Sequence, residues 1–189
     1  MKEIVFVTHN PGKIDSAYRY IRNAKLEIFR YDLEEPRSDD IRYISEYKVR
    51  QAFALVHKPC ISMDAGFFVD ALNGFPRAYV NFMLDTVGID GLLKLMDGVS
   101  DRRCRFVESL SYWDGETLLH FPGEHPGRLA EEKRGADREK KWSDLWTLFI
   151  PDGSEKTLAE MTDAERENRP RPGSTEAMKL FAKWLETQN

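Results

Sequence analysis

The sequence predicts a single α/β domain over residues 1–189, and three observations predict it. The chain opens as strand, polar turn, helix and strand, the order of an α/β protein. Apolar stretches of strand length then alternate with stretches of helical period. Midway, RCRFVESLSYWDGETLLHFPG reads as two strands around an Asp114-Gly115 turn, so hairpin pairing joins the parallel-type pairing of the opening.

The first element is the run from Lys2 to Thr8, whose IVFV core is apolar and rich in β-branched residues and reads as a buried strand. Pro11-Gly12 breaks it, and Lys13 to Arg22 reads as a helix. LEIFRY is a second strand and DLEEPRSDD a polar loop. From Ile41 to His57, the spacing of Ile41, Ile44, Val49, Phe53 and Leu55 predicts an amphipathic helix capped near Asp39 or Asp40. Pro59 to Met63 reads as a short buried strand that ends at Asp64-Ala-Gly. AYVNFMLDTVG and GIDGLLKLMDG read as two short helices, EEKRGADREKK as an exposed charged loop and LWTLFIP as a strand. STEAMKLFAKWLETQN closes the chain as a helix capped by Ser174 or Thr175.

Composition narrows the function classes. Hydrophobic residues make up 41% and charged residues 32%, the balance of a globular protein rather than a disordered one. A net charge of −4 speaks against a general nucleic-acid binder, which needs a basic field. A small anionic ligand needs only a local cationic pocket and stays open. Cys60 and Cys104 lack ligand or disulfide spacing and read as buried reduced thiols. No apolar run approaches about 18 residues, so no membrane span is expected. The first residues enter a strand without the pattern of a signal peptide, and the expected location is cytoplasmic.

Thr8, Asn10 and Lys13 stand where a first strand turns into a helix, a common ligand position in α/β sheets. The helix N-terminus offers unpaired N–H groups to phosphate, Thr8 and Asn10 can donate hydrogen bonds, and Lys13 adds a charge. The turn is not a Walker loop, since GxxxxGK[ST] is absent. Asn10 reads equally well as an ordinary helix cap. Two acids complete a candidate site: Glu35 in the loop before the second helix and Asp64 at a strand end. Mg²⁺ is commonly held by one or two carboxylates together with substrate phosphates, and Glu35 with Asp64 fits that pattern. Lys48 falls on the second helix. His9, His57, His120 and His125 show no ligand spacing, and no GxSxG or Cys–His pattern is present.

These residues carry a family resemblance. FVTHNPGK resembles the T-x-N-x-x-K start of the inosine triphosphate pyrophosphatase family. MDAGFFVDALNGFPRAYV is similar to that family's E-D-[ST]-G-L-x-V-D-A-L-x-G-x-P-G-x-Y stretch. FIPDGSEKTLAEMTDAER resembles its F-x-P-[DE]-G-x-x-x-T-x-A-E-M segment, and GEHPGRLAEEKRG its G-x-I-x-x-x-x-x-G region, with Leu129 for the isoleucine. The matches run in order from Ile4 to near the C-terminus. The resemblance implies an elongated two-lobed α/β fold with a central mixed β-sheet, flanking helices and a cleft between lobes. It implies a homodimer and Mg²⁺-dependent hydrolysis of a nucleoside triphosphate to the monophosphate and pyrophosphate. On this likeness Thr8, Asn10, Lys13 and Lys48 bind phosphate, Glu35 and Asp64 hold the metal, and Asp64 is the catalytic acid of the motif.

The triphosphate and metal end of the motif set is mostly kept, and the base end is rewritten. Met63 replaces the first acid of the E-D pair, and Arg77 the glycine after Pro76. The family's F-G-[YW]-D-P base-recognition segment reads SDLWT here, which puts Trp146 where a base-reading acid is expected. The K-N-x-x-S-H-R segment is replaced by RENRPRPGSTEA, where Arg166, Arg169 and Arg171 are the nearby cations. Trp146, Arg169 and Arg171 are therefore the base-pocket candidates, and the base preference is expected to differ from the inosine and xanthosine type. Two alternatives remain open at this stage: a nucleotide-binding or sensor protein of weak catalysis on the same fold, and a pyrophosphatase for pyrimidine or modified nucleotides.

Overall fold

The computed structural model describes residues 2–135 and 143–188. Its strands are β1 (Glu3–Val7), β2 (Lys25–Phe29), β3 (Cys60–Val69), β4 (Pro76–Arg77), β5 (Arg103–Trp113), β6 (Leu118–Leu129) and β7 (Phe149–Pro151). Its helices are α1 (Pro11–Tyr20), α2 (Ile41–Val56), α3 (Val80–Thr86), α4 (Gly88–Leu95), α5 (Asp163–Asn168) and α6 (Ala177–Glu186). The seven strands form one mixed sheet in the order β2-β1-β3-β5-β6-β7, with β4 beside β3. β1 runs parallel to β2, with Ile4 opposite Leu26, and parallel to β3, with Val5 opposite Cys60. β4 is antiparallel to β3, and β7 to β6.

The chain divides into two compact units. The first comprises Met1–Ala65, Glu108–Gly123 and Thr175–Asn189. Its sheet is buried on both faces, which explains the unbroken apolar run of β1. Ile4, Phe6, Ile61, Met63, Leu110 and Tyr112 pack with Ala17 and Ile21 and with Phe181 and Leu185 of α6. The alternate residues Val5, Val7 and Cys60 pack with Val49 and Ala52 of α2. Period-2 alternation thus sends β1 and β3 residues to two different helical covers.

The second unit comprises Gly66–Val107 and Glu124–Ser174. Phe67, Met83, Leu92, Leu145, Leu148, Phe149 and Met161 form its core. Phe106 bridges Phe67 and Phe149 at ring-centroid distances of 4.7 and 4.8 Å.

Three local expectations are revised and one helix is added. β3 does not stop before Asp64 but continues to Val69, so Asp64 lies inside a buried strand. The stretch LWTLFIP divides: Asp144–Thr147 forms a 3-10 turn under a Ser143 cap, and only Phe149–Pro151 is strand. α6 takes no side-chain cap from Ser174 or Thr175; it starts after Glu176, and the carboxylate of Glu108 accepts the Ala177 N–H at 3.3 Å instead. α5 was not anticipated, although Thr162 and Glu165 form a reciprocal capping box at its start. Of the charged segment 131–141, Glu131, Glu132 and Lys133 are exposed as expected, and residues from 136 on lie outside the described ones. Both cysteines are free and buried. Among the described residues no helix is long and apolar enough to cross a membrane.

Candidate active site

The turn after β1 is built by its own side chains. Thr8 Oγ1 accepts the Asn10 N–H at 3.2 Å, and Asn10 Oδ1 accepts the Lys13 N–H at 3.1 Å, capping α1. Pro11 occupies the first helical turn, where its missing N–H removes nothing. The cap reading of Asn10 therefore holds. It leaves the phosphate reading intact, because these bonds use the two side chains as acceptors. The Thr8 hydroxyl proton and the Asn10 amide hydrogens are donors, and donors are what a phosphate requires. Both side chains are half-buried at the head of a ten-residue helix, whose dipole favours an anion there.

Lys13 points its ammonium back to the sheet, where it donates to the Met63 carbonyl at 2.8 Å. Burial lowers its pKa, and the charge of Asp64 is the main opposing influence. Lys48 of α2 reaches two acids: its ammonium lies 2.6 Å from Glu35 Oε1 and 3.6 Å from Asp64 Oδ1. Glu35 is exposed in its loop, whereas Asp64 is 8% exposed. Burial raises the Asp64 pKa, and Lys13 and then Lys48 act against it. Thr8, Asn10, Lys13, Glu35, Lys48 and Asp64 all belong to the first unit. Lys48 joins the two acids directly, and the carboxylate of Asp64 feels both lysines.

The position-63 acid of the family motif has no place on this cluster. Met63 is 3% exposed and packs with Ile4, Ile61 and Leu110, on the opposite face of β3 from Asp64.

The donor set suits a hard divalent cation. Glu35 and Asp64 offer carboxylate oxygens around a single ammonium. No group of three or more His, Cys, Asp or Glu among the described residues could enclose a metal. Two carboxylates without a closed cage match Mg²⁺, which keeps waters and takes substrate phosphate oxygens, and do not match a four-ligand zinc site.

The base-pocket candidates all lie in the second unit. Trp146 is half-buried against that unit's core, with the Arg166 guanidinium 5.1 Å from its ring centroid. Arg166 is itself tied to the Leu158 and Met161 carbonyls and to Asp163. Arg171 donates to the Arg166 carbonyl at 3.2 Å, and the Arg169 N–H closes α5 by donating to Glu165 O at 3.0 Å. Trp146 and Arg171 thus share Arg166 as a partner, whereas Arg169 holds the end of a helix.

One buried acid escaped the sequence reading. Glu108, 9% exposed, is the lone acid in the strand segment FVESLSYW, and an acid in such an apolar alternation was the available signal. Gly123 makes room for it: a Cβ there would meet Glu108 Oε2 at 2.5 Å.

Known proteins resemble this chain along nearly its whole length. The chain is 35% identical over 185 residues to the dITP/XTP pyrophosphatase of Thermococcus kodakarensis, covering 97% of both chains. It is 34% identical over 187 residues to that of Methanopyrus kandleri, covering 97% of this chain and 96% of the relative. The solved structure of the Staphylococcus aureus Ham1 protein superposes with a TM-score of 0.82 at 25% identity, with full coverage of both chains. The sequence profile of the Ham1 family matches residues 4–181, and the chain belongs to the Ham1 family.

Proposed function

We propose that the protein hydrolyses a nucleoside triphosphate to the monophosphate and pyrophosphate. The observation that carries this reading is Lys48 lying between Glu35 and the buried Asp64, in the same unit as the Thr8-Asn10-Lys13 turn. The dITP/XTP pyrophosphatase names of relatives at 34–35% identity support it.

In this reading Thr8, Asn10 and the head of α1 donate hydrogen bonds to phosphate oxygens, and Lys13 and Lys48 offset their charge. Asp64 orients a water and takes its proton. The water oxygen bonds to the α-phosphorus as the bond to the bridging oxygen breaks, and pyrophosphate leaves with that electron pair. Burial suits Asp64 to this task, since a raised pKa makes a carboxylate a better base. Glu35 and Asp64 would hold Mg²⁺, which supplies further neutralisation of the triphosphate when bound. Stabilisation of developing phosphate charge by fixed cations is the principal catalytic effect.

The base preference we assign to Trp146, Arg169 and Arg171, and we expect it to differ from the inosine and xanthosine type. A panel of standard, deaminated and modified nucleoside triphosphates, assayed for pyrophosphate with Mg²⁺ and with chelator, tests both parts. Release from one or a few substrates that disappears with chelator supports the activity. Release confined to dITP, ITP and XTP refutes the altered preference. Thermal stabilisation by nucleotides without any pyrophosphate release refutes the activity and leaves a nucleotide-binding protein.

A further inference from the structure

Beneath α2 lies a buried polar chain that the proposed chemistry does not use. Ser45 is fully buried at the centre of the helix's inner face, among Ile41, Ile44, Val49 and Ala52. Its Oγ lies 3.0 Å from Ser109 Oγ and 2.7 Å from Ser111 Oγ, both on β5. Ser111, also fully buried, lies 2.9 Å from His120 Nδ1 on β6. His120 Nε2 faces Glu46 of α2 at 3.6 Å.

Proton counting gives the chain a direction. Burial, and then Arg42, lower the His120 pKa, so the neutral ring stands at neutral pH. With Nδ1 as acceptor, Ser111 donates to His120, Ser45 to Ser111 and Ser109 to Ser45. Each hydroxyl then donates once, and no acceptor between Ser109 and the ring goes unmet. The same tautomer turns the Nε2–H of His120 toward Glu46 at 3.6 Å, whereas the reverse polarity would set a bare ring nitrogen against that carboxylate.

An apolar residue at position 45 would bury as well, but apolar packing is non-directional. Hydrogen bonds from one helical position to two hydroxyls of β5 define a register, and satisfied buried networks hold a core in one arrangement. Lys48 lies three residues beyond Ser45, on the adjoining part of the helix surface, and its ammonium must reach Glu35 and Asp64 together.

We infer that Ser45, Ser109, Ser111 and His120 are positioning residues that set α2 on the sheet and thereby place Lys48. The inference rests on the reading of Lys48 as a phosphate contact. It predicts that Ser45 acts through Lys48 rather than through general stability.

A double-mutant cycle tests this: wild type, Ser45→Ala, Lys48→Ala and the double variant, with turnover of the triphosphate that the substrate panel selects, inorganic pyrophosphate affinity by calorimetry and thermal midpoint measured for each. Ser45→Ala alone is expected to lower kcat about tenfold, since small misplacements of a catalytic cation are costly. In the Lys48→Ala background the same change should alter kcat less than about twofold, as coupled residues fail to add. Equal losses in both backgrounds, or no loss in either, overturn the inference. If Ser45→Ala does not fold, Ser111→Ala and His120→Asn probe the chain from its other end against the same prediction. If the wild type hydrolyses no triphosphate, the proposed function fails and the cycle is read by pyrophosphate affinity. Failure of the wild type to bind pyrophosphate overturns the inference as well.

Discussion

The ammonium of Lys13 donates to the backbone carbonyl of Met63 at 2.8 Å, which ties α1 to the residue just before Asp64. Lys48 approaches the same acid from α2 at 3.6 Å. One buried carboxylate is therefore held between cations brought by two helices.

Asp64→Asn removes the proposed base while preserving shape. Turnover should fall by about 10²–10⁴-fold, the range for loss of a positioned acid–base group. Far-ultraviolet circular dichroism and the unfolding midpoint should change little, because the new amide keeps the volume and the buried carboxylate was costly to hold. Wild-type kcat in this variant would remove Asp64 from the mechanism.

The pH profile should be narrowed from both sides. Burial raises Asp64, so the acidic limb of kcat lies above the ordinary aspartate value; burial lowers Lys13, so the basic limb lies below the ordinary lysine value. Stability follows by linkage. Between the ordinary and raised aspartate values the native state binds more protons at Asp64 than the unfolded state does, so stability falls as pH rises through that window. Between the lowered and ordinary lysine values the unfolded state binds more protons, so stability rises with pH there. Urea midpoints measured across pH should show both slopes, with the first lost in Asp64→Asn and the second in Lys13→Met.

Glu108→Ala should lower unfolding free energy by about 1–2 kcal/mol, as loss of a helix cap and of a buried hydrogen-bond acceptor does. The Ala177 amide, which bonds to this carboxylate, should lose hydrogen-exchange protection before the rest of α6. Glu108→Gln retains an acceptor and should lose less than the alanine variant. Equal losses in the two would assign the effect to the lost negative charge at the head of α6 rather than to the acceptor.

Arg77→Gly should stabilise the protein by about 0.5–1 kcal/mol. Arg77 has φ +57, where a residue with a Cβ is strained by about 1–2 kcal/mol. The larger unfolded-state entropy of glycine offsets part of the gain, as does the lost bond from Arg77 Nη2 to the Asn73 carbonyl at 3.2 Å. Denaturant unfolding of the variant measures the balance, and a loss of stability would show that the side chain's contacts outweigh its backbone strain.

Much of the fold was legible because the signals were local. The β1 run, the Asp40 cap and the Asp114-Gly115 turn each act within a few residues, and their elements formed where expected, whereas α1 starts two residues earlier than expected, with Pro11-Gly12 as its first turn. The T-x-N-x-x-K spacing likewise located the turn that Thr8 and Asn10 shape. The Thr162–Glu165 box was equally local and was overlooked.

What stayed hidden depends on partners distant in sequence. Asp64 looked like a strand terminus because Ala65-Gly66 resembles a break, yet β3 continues through it and pairs with β4 beyond. The cap of α6 comes from Glu108, 69 positions away, so nothing near Thr175 announces it. Ser45, Ser109, Ser111 and His120 look like ordinary polar residues until the sheet brings them within hydrogen-bonding distance.

The most direct test of the central claim is the identity of the products. Phosphorus NMR of a reaction with XTP, dITP or whichever triphosphate the panel selects distinguishes the two anhydride bonds. The account predicts nucleoside monophosphate and pyrophosphate in equal amounts, with both formed at least about a hundredfold more slowly by Asp64→Asn. Nucleoside diphosphate and orthophosphate, or full turnover by the Asp64→Asn protein, would contradict it.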